Sequence, residues 1–235
     1  MAIGSAWGPV PVRGQVWSCD LQGNGPTDFL IISCDDWNRR RVNTLLGLDV
    51  VPGHVEKTRY TSLIVVNGQP MTVYGDMIHG VPRAGLIDCG VDLDARAMAD
   101  VDQLLDMSLD VSSSTPRPRV PHRPPRHPYR GHVRYADLLI PGEKDKPVVV
   151  VSSEGYGDAV EFELVLACQV TSNPNNPHDY DVVLTPPQNG KVVCSNLRSV
   201  PISRLRERTV KGGAAVNPAD QKQIMTKVRQ MVGLS

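Results

Sequence analysis

Short apolar runs rich in Val, Ile, Leu and Thr recur along the chain, as in Ser62 to Val66 and Val182 to Leu184. Runs of this length, bounded by turn residues, predict strands. Asn67-Gly68 and Asn189-Gly190 are such punctuation, and each predicts a tight hairpin because both residues of an Asn-Gly pair tolerate positive φ. Two stretches have a different period. Ala97, Val101, Leu104 and Leu105, then Ile224, Val228, Met231 and Val232, recur at i, i+4, i+7 and i+8, one face of an α-helix. Asn217 is the expected N-cap of the second helix, with Pro218 presetting φ in its first turn, and Asp92 is the expected cap of the first.

The pattern occurs twice. Arg13-Gly14-Gln15-Val16, then Asp20-Leu21, returns 117 residues later as Arg130-Gly131-His132-Val133, then Asp137-Leu138. Phe29 to Ser33 matches Val148 to Ser152 at 119, with an acid two positions on in each copy, Asp35 and Glu154. Val42 to Val51 aligns with Phe162 to Thr171 at 120, and Ile78 to Pro82 with Leu197 to Pro201 at 119. Blocks in the same order at nearly constant spacing predict a duplicated unit. Short strands, hairpin turns and one closing helix suggest that each copy is a small, strongly curved antiparallel barrel. The expected organisation is a first domain over 1–110, a linker over 111–128 and a second domain over 129–235. The linker's six prolines remove amide donors and favour an extended, semi-rigid spacer.

Composition is that of an ordinary folded protein, 40% hydrophobic and 21% charged. No apolar run reaches the roughly 18–20 residues needed to span a bilayer, and the opening residues lack a basic start followed by an apolar core. A cytoplasmic protein is expected. Cys19, Cys34, Cys89, Cys168 and Cys194 show no CxxC spacing and no neighbouring paired histidines, so reduced thiols are expected and no metal site. No phosphate-binding glycine loop suggests a small-molecule cofactor. Net charge is zero but unevenly spread: 8 Lys+Arg against 14 Asp+Glu in 1–110, 5 against 0 in 111–130, and 12 against 11 in 131–235.

The Arg-Gly-x-Val-x-x-x-Asp-Leu start, the Val-Val-Val-Ser strand end, Thr171-Ser172 closing a long strand and the stretch Arg198 to Leu205 together resemble the PemK/MazF family of toxins. The resemblance covers nearly the whole chain and is better in the second copy. It implies a mainly β fold with terminal helices (α+β): two SH3-like small β-barrels forming an intramolecular pseudo-dimer. It further implies cleavage of single-stranded RNA by an arginine near the first-strand loop and a threonine or serine after a later strand. Metal-free cleavage needs a base for the ribose hydroxyl, an acid for the leaving oxygen and a cation for the phosphorane. In the second copy Lys146 stands where the family's arginine is expected, Thr171 and Ser172 remain, and Arg198 is a candidate phosphate contact, whereas Ser195-Asn196 replaces the family's Asp-Gln. Lysine keeps the charge but lacks the bidentate fork. In the first copy Thr27-Asp28 replaces Arg-Pro, Val51-Pro52 replaces Thr-Ser, and His79 stands at the Arg198 position. That copy reads as catalytically empty, with chemistry at His79 or a composite site as the alternative.

Three basic clusters add to this. Arg117, Arg119, Arg123, Arg126 and Arg130 line an acid-free linker; Arg39, Arg40 and Arg41 flank Trp37, an aromatic suited to base stacking; and Arg204, Arg206 and Arg208 lie with Lys211 near the end. Such strips neutralise phosphate, although each cluster alone reads equally as a solvated surface. The leading expectation is a tandem MazF-like protein that binds DNA or RNA, with weakened or lost ribonuclease activity, and perturbs host growth by occupying nucleic acid. The alternatives are an active endoribonuclease toxin using Thr171 or Ser172 with Lys146 and Arg198, and a CcdB-like inhibitor of a host protein such as gyrase. An antitoxin is a further candidate partner.

Overall fold

The computed structural model describes residues 10–21, 25–40, 42–55, 60–109, 128–138, 145–152, 163–206 and 215–234. The chain forms two compact units: residues 1–104 with 229–235, and residues 105–228. Each is built on a six-stranded antiparallel sheet, and the described residues include three α-helices.

In the first unit the strands are β1 (Gln15–Cys19), β2 (Thr27–Ile31), β3 (Thr44–Pro52), β4 (Thr61–Val66), β5 (Gln69–Pro82) and β6 (Leu86–Asp92), ordered β4-β5-β3-β2-β1-β6. Helix α1 (Asp35–Arg39) follows β2, and α2 (Ala95–Leu109) follows β6. Asn67 and Gly68 adopt φ of 51° and 78°, and Val66 pairs with Gln69, so the expected two-residue hairpin forms. The edge strands approach each other: a Cβ at Gly90 would lie 3.9 Å from Val66. Trp17, Cys19, Phe29, Ile31, Leu45 and Val81 form a buried cluster on one sheet face. Helix α2 comes so close to β5 that a Cβ at Gly75 would sit 2.9 Å from that of Leu104. Its cap differs from the expectation: Asp94 accepts the Ala97 amide at 2.8 Å, whereas Asp92 is the last residue of β6. The strand consumes Asp92, and the first free carboxylate beyond the sheet takes the capping role.

The second unit contains β7 (Val133–Ala136), β8 (Lys146–Val150), β9 (Leu164–Thr171), β10 (Asp181–Val183), β11 (Lys191–Pro201) and β12 (Leu205–Arg206), ordered β10-β11-β9-β8-β7-β12. Counted from the start of each unit, this is the same strand order as in the first. Helix α3 (Pro218–Met231) is capped by Asn217, whose side-chain oxygen accepts the Asp220 amide at 2.8 Å. Ala136, Leu138, Val148, Val150, Val165, Ala167 and Val200 make its buried cluster. Asn189-Gly190 does not make the expected two-residue hairpin. β10 ends at Val183, and the Leu184 amide donates to the Gly190 carbonyl at 2.9 Å, which closes a wider loop. Gly190, at φ 122°, leaves room for the Thr171 carbonyl, 2.1 Å from where a Cβ would be.

All five cysteines are free, with Cys19, Cys168 and Cys194 buried. Among the described residues no group of three or more His, Cys, Asp or Glu is placed to hold a metal ion, and no helix is long and apolar enough to cross a membrane.

Candidate nucleic-acid interface

Directly opposed residues in an antiparallel ladder share a sheet face, as do alternate residues of one strand. In the second unit Val148 opposes Gln169, Ala167 opposes Arg198, and Thr171 opposes Lys191. The face that carries the buried cluster at one end therefore carries Lys146, Gln169, Thr171 and Arg198 towards the other. Two residues beyond the Val148–Gln169 pair, Lys146 and Thr171 stand level at neighbouring strand ends. A register break between Val193 and Leu197 lets Asn196 join them: its amide donates to Gln169 Oε1, and the Arg198 guanidinium donates to Asn196 Oδ1. Arg198 is thus aimed by an amide chain anchored on β9. Gln169 and Asn196 were not candidates from sequence, since only the break brings them together.

Thr171 is half-buried, Ser172 is exposed, and the Thr171 hydroxyl accepts the Asn173 amide at 3.4 Å. Lys191 anchors the loop that follows. Its ammonium meets the buried Asp181 carboxylate at 2.9 Å and donates to the carbonyls of Asn176 and Asn175 at 3.1 and 3.3 Å. A lysine within an apolar run was the available sequence signal for this anchor.

The corresponding positions in the first unit have the opposite electrostatic character. Gly47 opposes His79, and Asp49, two residues along β3, forms an ion pair with His79 at 3.2 Å. The His79 ring also meets Phe29 edge-on, with centroids 5.8 Å apart. Asp76 lies close by on β5; burial, with a smaller contribution from the Asp49 charge, pushes its carboxyl up to about 6. This face carries Thr27, Asp49, Val51 and His79 where the second unit carries Lys146, Gln169, Thr171 and Arg198.

The structure reassigns several of the basic-cluster residues. Trp37 is buried, and its indole nitrogen donates to the Thr44 carbonyl at 3.1 Å, so it is a core residue that cannot stack on a base. Arg39 is exposed, while Arg40 pairs with Asp36 at 2.8 Å along α1. Arg130 is structural: its guanidinium donates to the carbonyls of Val151, Ser152 and Leu109. Arg204 and Arg206 are exposed, and Arg206 pairs with Asp145 at 3.1 Å. Arg41, Arg117, Arg119, Arg123, Arg126, Arg208 and Lys211 lie outside the described residues.

Chemically, the second unit's face offers two cations, two amides and a hydroxyl, a set that binds phosphate and base edges but holds neither carboxylate nor imidazole. The first unit's face holds acid–base groups without a cation.

Residues 129–232 match the family model described as PemK-like, MazF-like toxin of type II toxin-antitoxin system. This stretch is therefore a PemK/MazF-like toxin domain. No curated protein matches the chain. Among solved structures, an endoribonuclease from a mycobacterial species is 26% identical over 46% of this chain and 92% of its own, with a TM-score of 0.37. MazF from Deinococcus radiodurans is 22% identical over 46% of this chain and 98% of its own, with a TM-score of 0.37. The Mycobacterium tuberculosis toxin MazF-mt6 is 16% identical over 44% and 98%, with a TM-score of 0.35.

Proposed function

We propose that this chain is a tandem pair of MazF-like copies, each an SH3-like barrel, that acts as an intramolecular pseudo-dimer and binds single-stranded RNA or DNA through the second copy, with ribonuclease activity weakened or lost. The observation that carries the reading is the contrast between equivalent sheet positions: Lys146, Gln169, Thr171 and Arg198 in one unit, Thr27, Asp49, Val51 and His79 in the other. Cations held by neutral amides favour a polyanion, whereas a paired carboxylate and a second nearby acid repel it. Binding is retained on this reading because phosphate contacts need only fixed charge and donors. Cleavage is impaired because the cationic face has no group to take the ribose proton near neutral pH. Single-barrel relatives that dimerise must keep both copies identical, whereas a tandem chain frees one copy to diverge.

The adjacent strand-end positions of Lys146 and Thr171 favour a second reading, a slow endoribonuclease in which the ammonium stabilises the phosphorane. Purified protein incubated with labelled single-stranded RNA and duplex DNA across a salt series, followed by gel shift and by cleavage, tests both. Salt-sensitive binding without cleavage, weakened about tenfold by Arg198→Gln, is the expected result. RNA cleavage abolished in Thr171→Ala would select the nuclease reading, and absence of binding at low salt would refute both. On either reading a cytoplasmic location follows from the substrate, and an antitoxin would compete for the same cationic face.

A further inference from the structure

The last turn of an α-helix presents carbonyls without amide partners and a partial negative charge, so a guanidinium placed there is stabilising. Helix α3 ends in a glycine-based cap: the Leu234 amide returns to the Arg229 carbonyl at 2.9 Å and the Gly233 amide to that of Gln230 at 3.2 Å, with Gly233 at φ 72°. The next two carbonyls are taken up elsewhere in the first unit. The Cys34 amide donates to Met231 at 2.7 Å, and Arg13 Nε donates to Val232 at 2.8 Å. Arg13 is itself fixed by Asp102, by its amide on Asp35 at 2.7 Å and by the Ile32 carbonyl at 3.3 Å. Gly233 packs so closely on this side chain that a Cβ would lie 2.4 Å from Arg13 Nε. In the second unit Arg130, at the position 117 residues on, reaches the Val151 carbonyl at 3.1 Å and caps Leu109 at the end of α2. Leu109 and Val232 are both fully buried.

We infer that the two halves of the chain are obligate partners through exchanged helix ends. The socket of Arg13 and Cys34 is a docking site for the helix C-terminus at 229–235, and the Arg130 socket is one for the helix end at 105–109. The unit compositions, 1–104 with 229–235 and 105–228, express the same exchange. Covalent continuity through the linker is then dispensable for holding the halves together. The inference rests on the tandem-copy reading only in treating the two sockets as counterparts. Its readout is association, so a failure to bind RNA would leave it standing.

The test inserts a site-specific protease sequence between Ser114 and Thr115 of the full chain and cuts it after purification. The halves are expected to stay together one-to-one by size exclusion and native mass spectrometry. In Arg13→Gln and in Gly233→Val the uncut chain remains folded through the tether, while the cut halves dissociate with a dissociation constant at least tenfold higher. Halves that separate in the unaltered sequence, or that hold equally tightly in both variants, would overturn the proposal. A chain stopped after Gln230 supplies an independent reading by hydrogen exchange. The Cys34 amide should exchange at least tenfold faster there while β9 amides keep their rates, and an unchanged Cys34 rate would overturn it equally.

Discussion

Replacing Asp76 by Asn should make the first unit's stability less dependent on pH. The carboxyl is buried, and the loss of water, reinforced by the Asp49 charge, raises its pKa from 3.8 to about 6. The folded state therefore holds the proton more tightly than the unfolded state. Below about pH 3.8 both states are protonated and there is no penalty. Between 3.8 and 6 the unfolded carboxyl ionises first, so stability falls as pH rises, and above 6 the full penalty is present. A shift of about 2 units corresponds to roughly 3 kcal/mol. Asn has nearly the same shape and nothing to ionise, so its stability relative to the unaltered protein should improve by up to about 3 kcal/mol between pH 3.5 and pH 7.5. Urea unfolding followed by tryptophan fluorescence measures this, because Trp7, Trp17 and Trp37 all belong to the first unit. Taking the difference between the two proteins at each pH cancels every other titrating group. A difference that stays flat, or that moves against Asn as pH rises, would refute the assignment of burial as the dominant effect at Asp76.

Lys191→Met leaves the Asp181 carboxylate buried without its cation and should cost about 3–5 kcal/mol, read by hydrogen exchange of β9 and β11 amides; Asp181→Asn added to it should restore much of the loss. Gly190→Ala pushes a methyl onto the Thr171 carbonyl at a positive φ and should cost at least about 2 kcal/mol, with faster exchange confined to the β9 end and the loop beyond it. Trp37→Ala should destabilise the first unit by about 3–5 kcal/mol while nucleic-acid affinity per folded molecule is unchanged, since the indole is in the core. Asn217→Ala should cost about 1 kcal/mol through loss of the α3 cap, measured by thermal unfolding.

Local sequence determined a good deal of this protein. Periodicity located β4 and β10 and both long helices, because side-chain alternation and the helical stripe are written in neighbouring residues. Asn67-Gly68 and Asn217-Pro218 were readable for the same reason: their effect depends on backbone preferences over three or four positions. The repeat at 117 to 120 residues anticipated two sheets of the same strand order, and Lys146, Thr171 and Arg198 were identifiable as candidates. The tertiary structure decided what those rules cannot reach. Whether Trp37 faced solvent or core depended on the Thr44 carbonyl of a different strand. Arg130 read as one charge in a basic strip, but the carbonyls that claim it lie 21 residues away in either direction. Asn189-Gly190 had a hairpin signature, yet the close approach of Thr171 set a wider loop. Gln169 and Asn196 became part of the cationic face only because a register break in β11 shifts one strand against its neighbour. Turns, caps and periodicity are short-range effects and so survive in one dimension, whereas burial, register and the partner of a charge are properties of residues far apart in the chain that meet only when it folds.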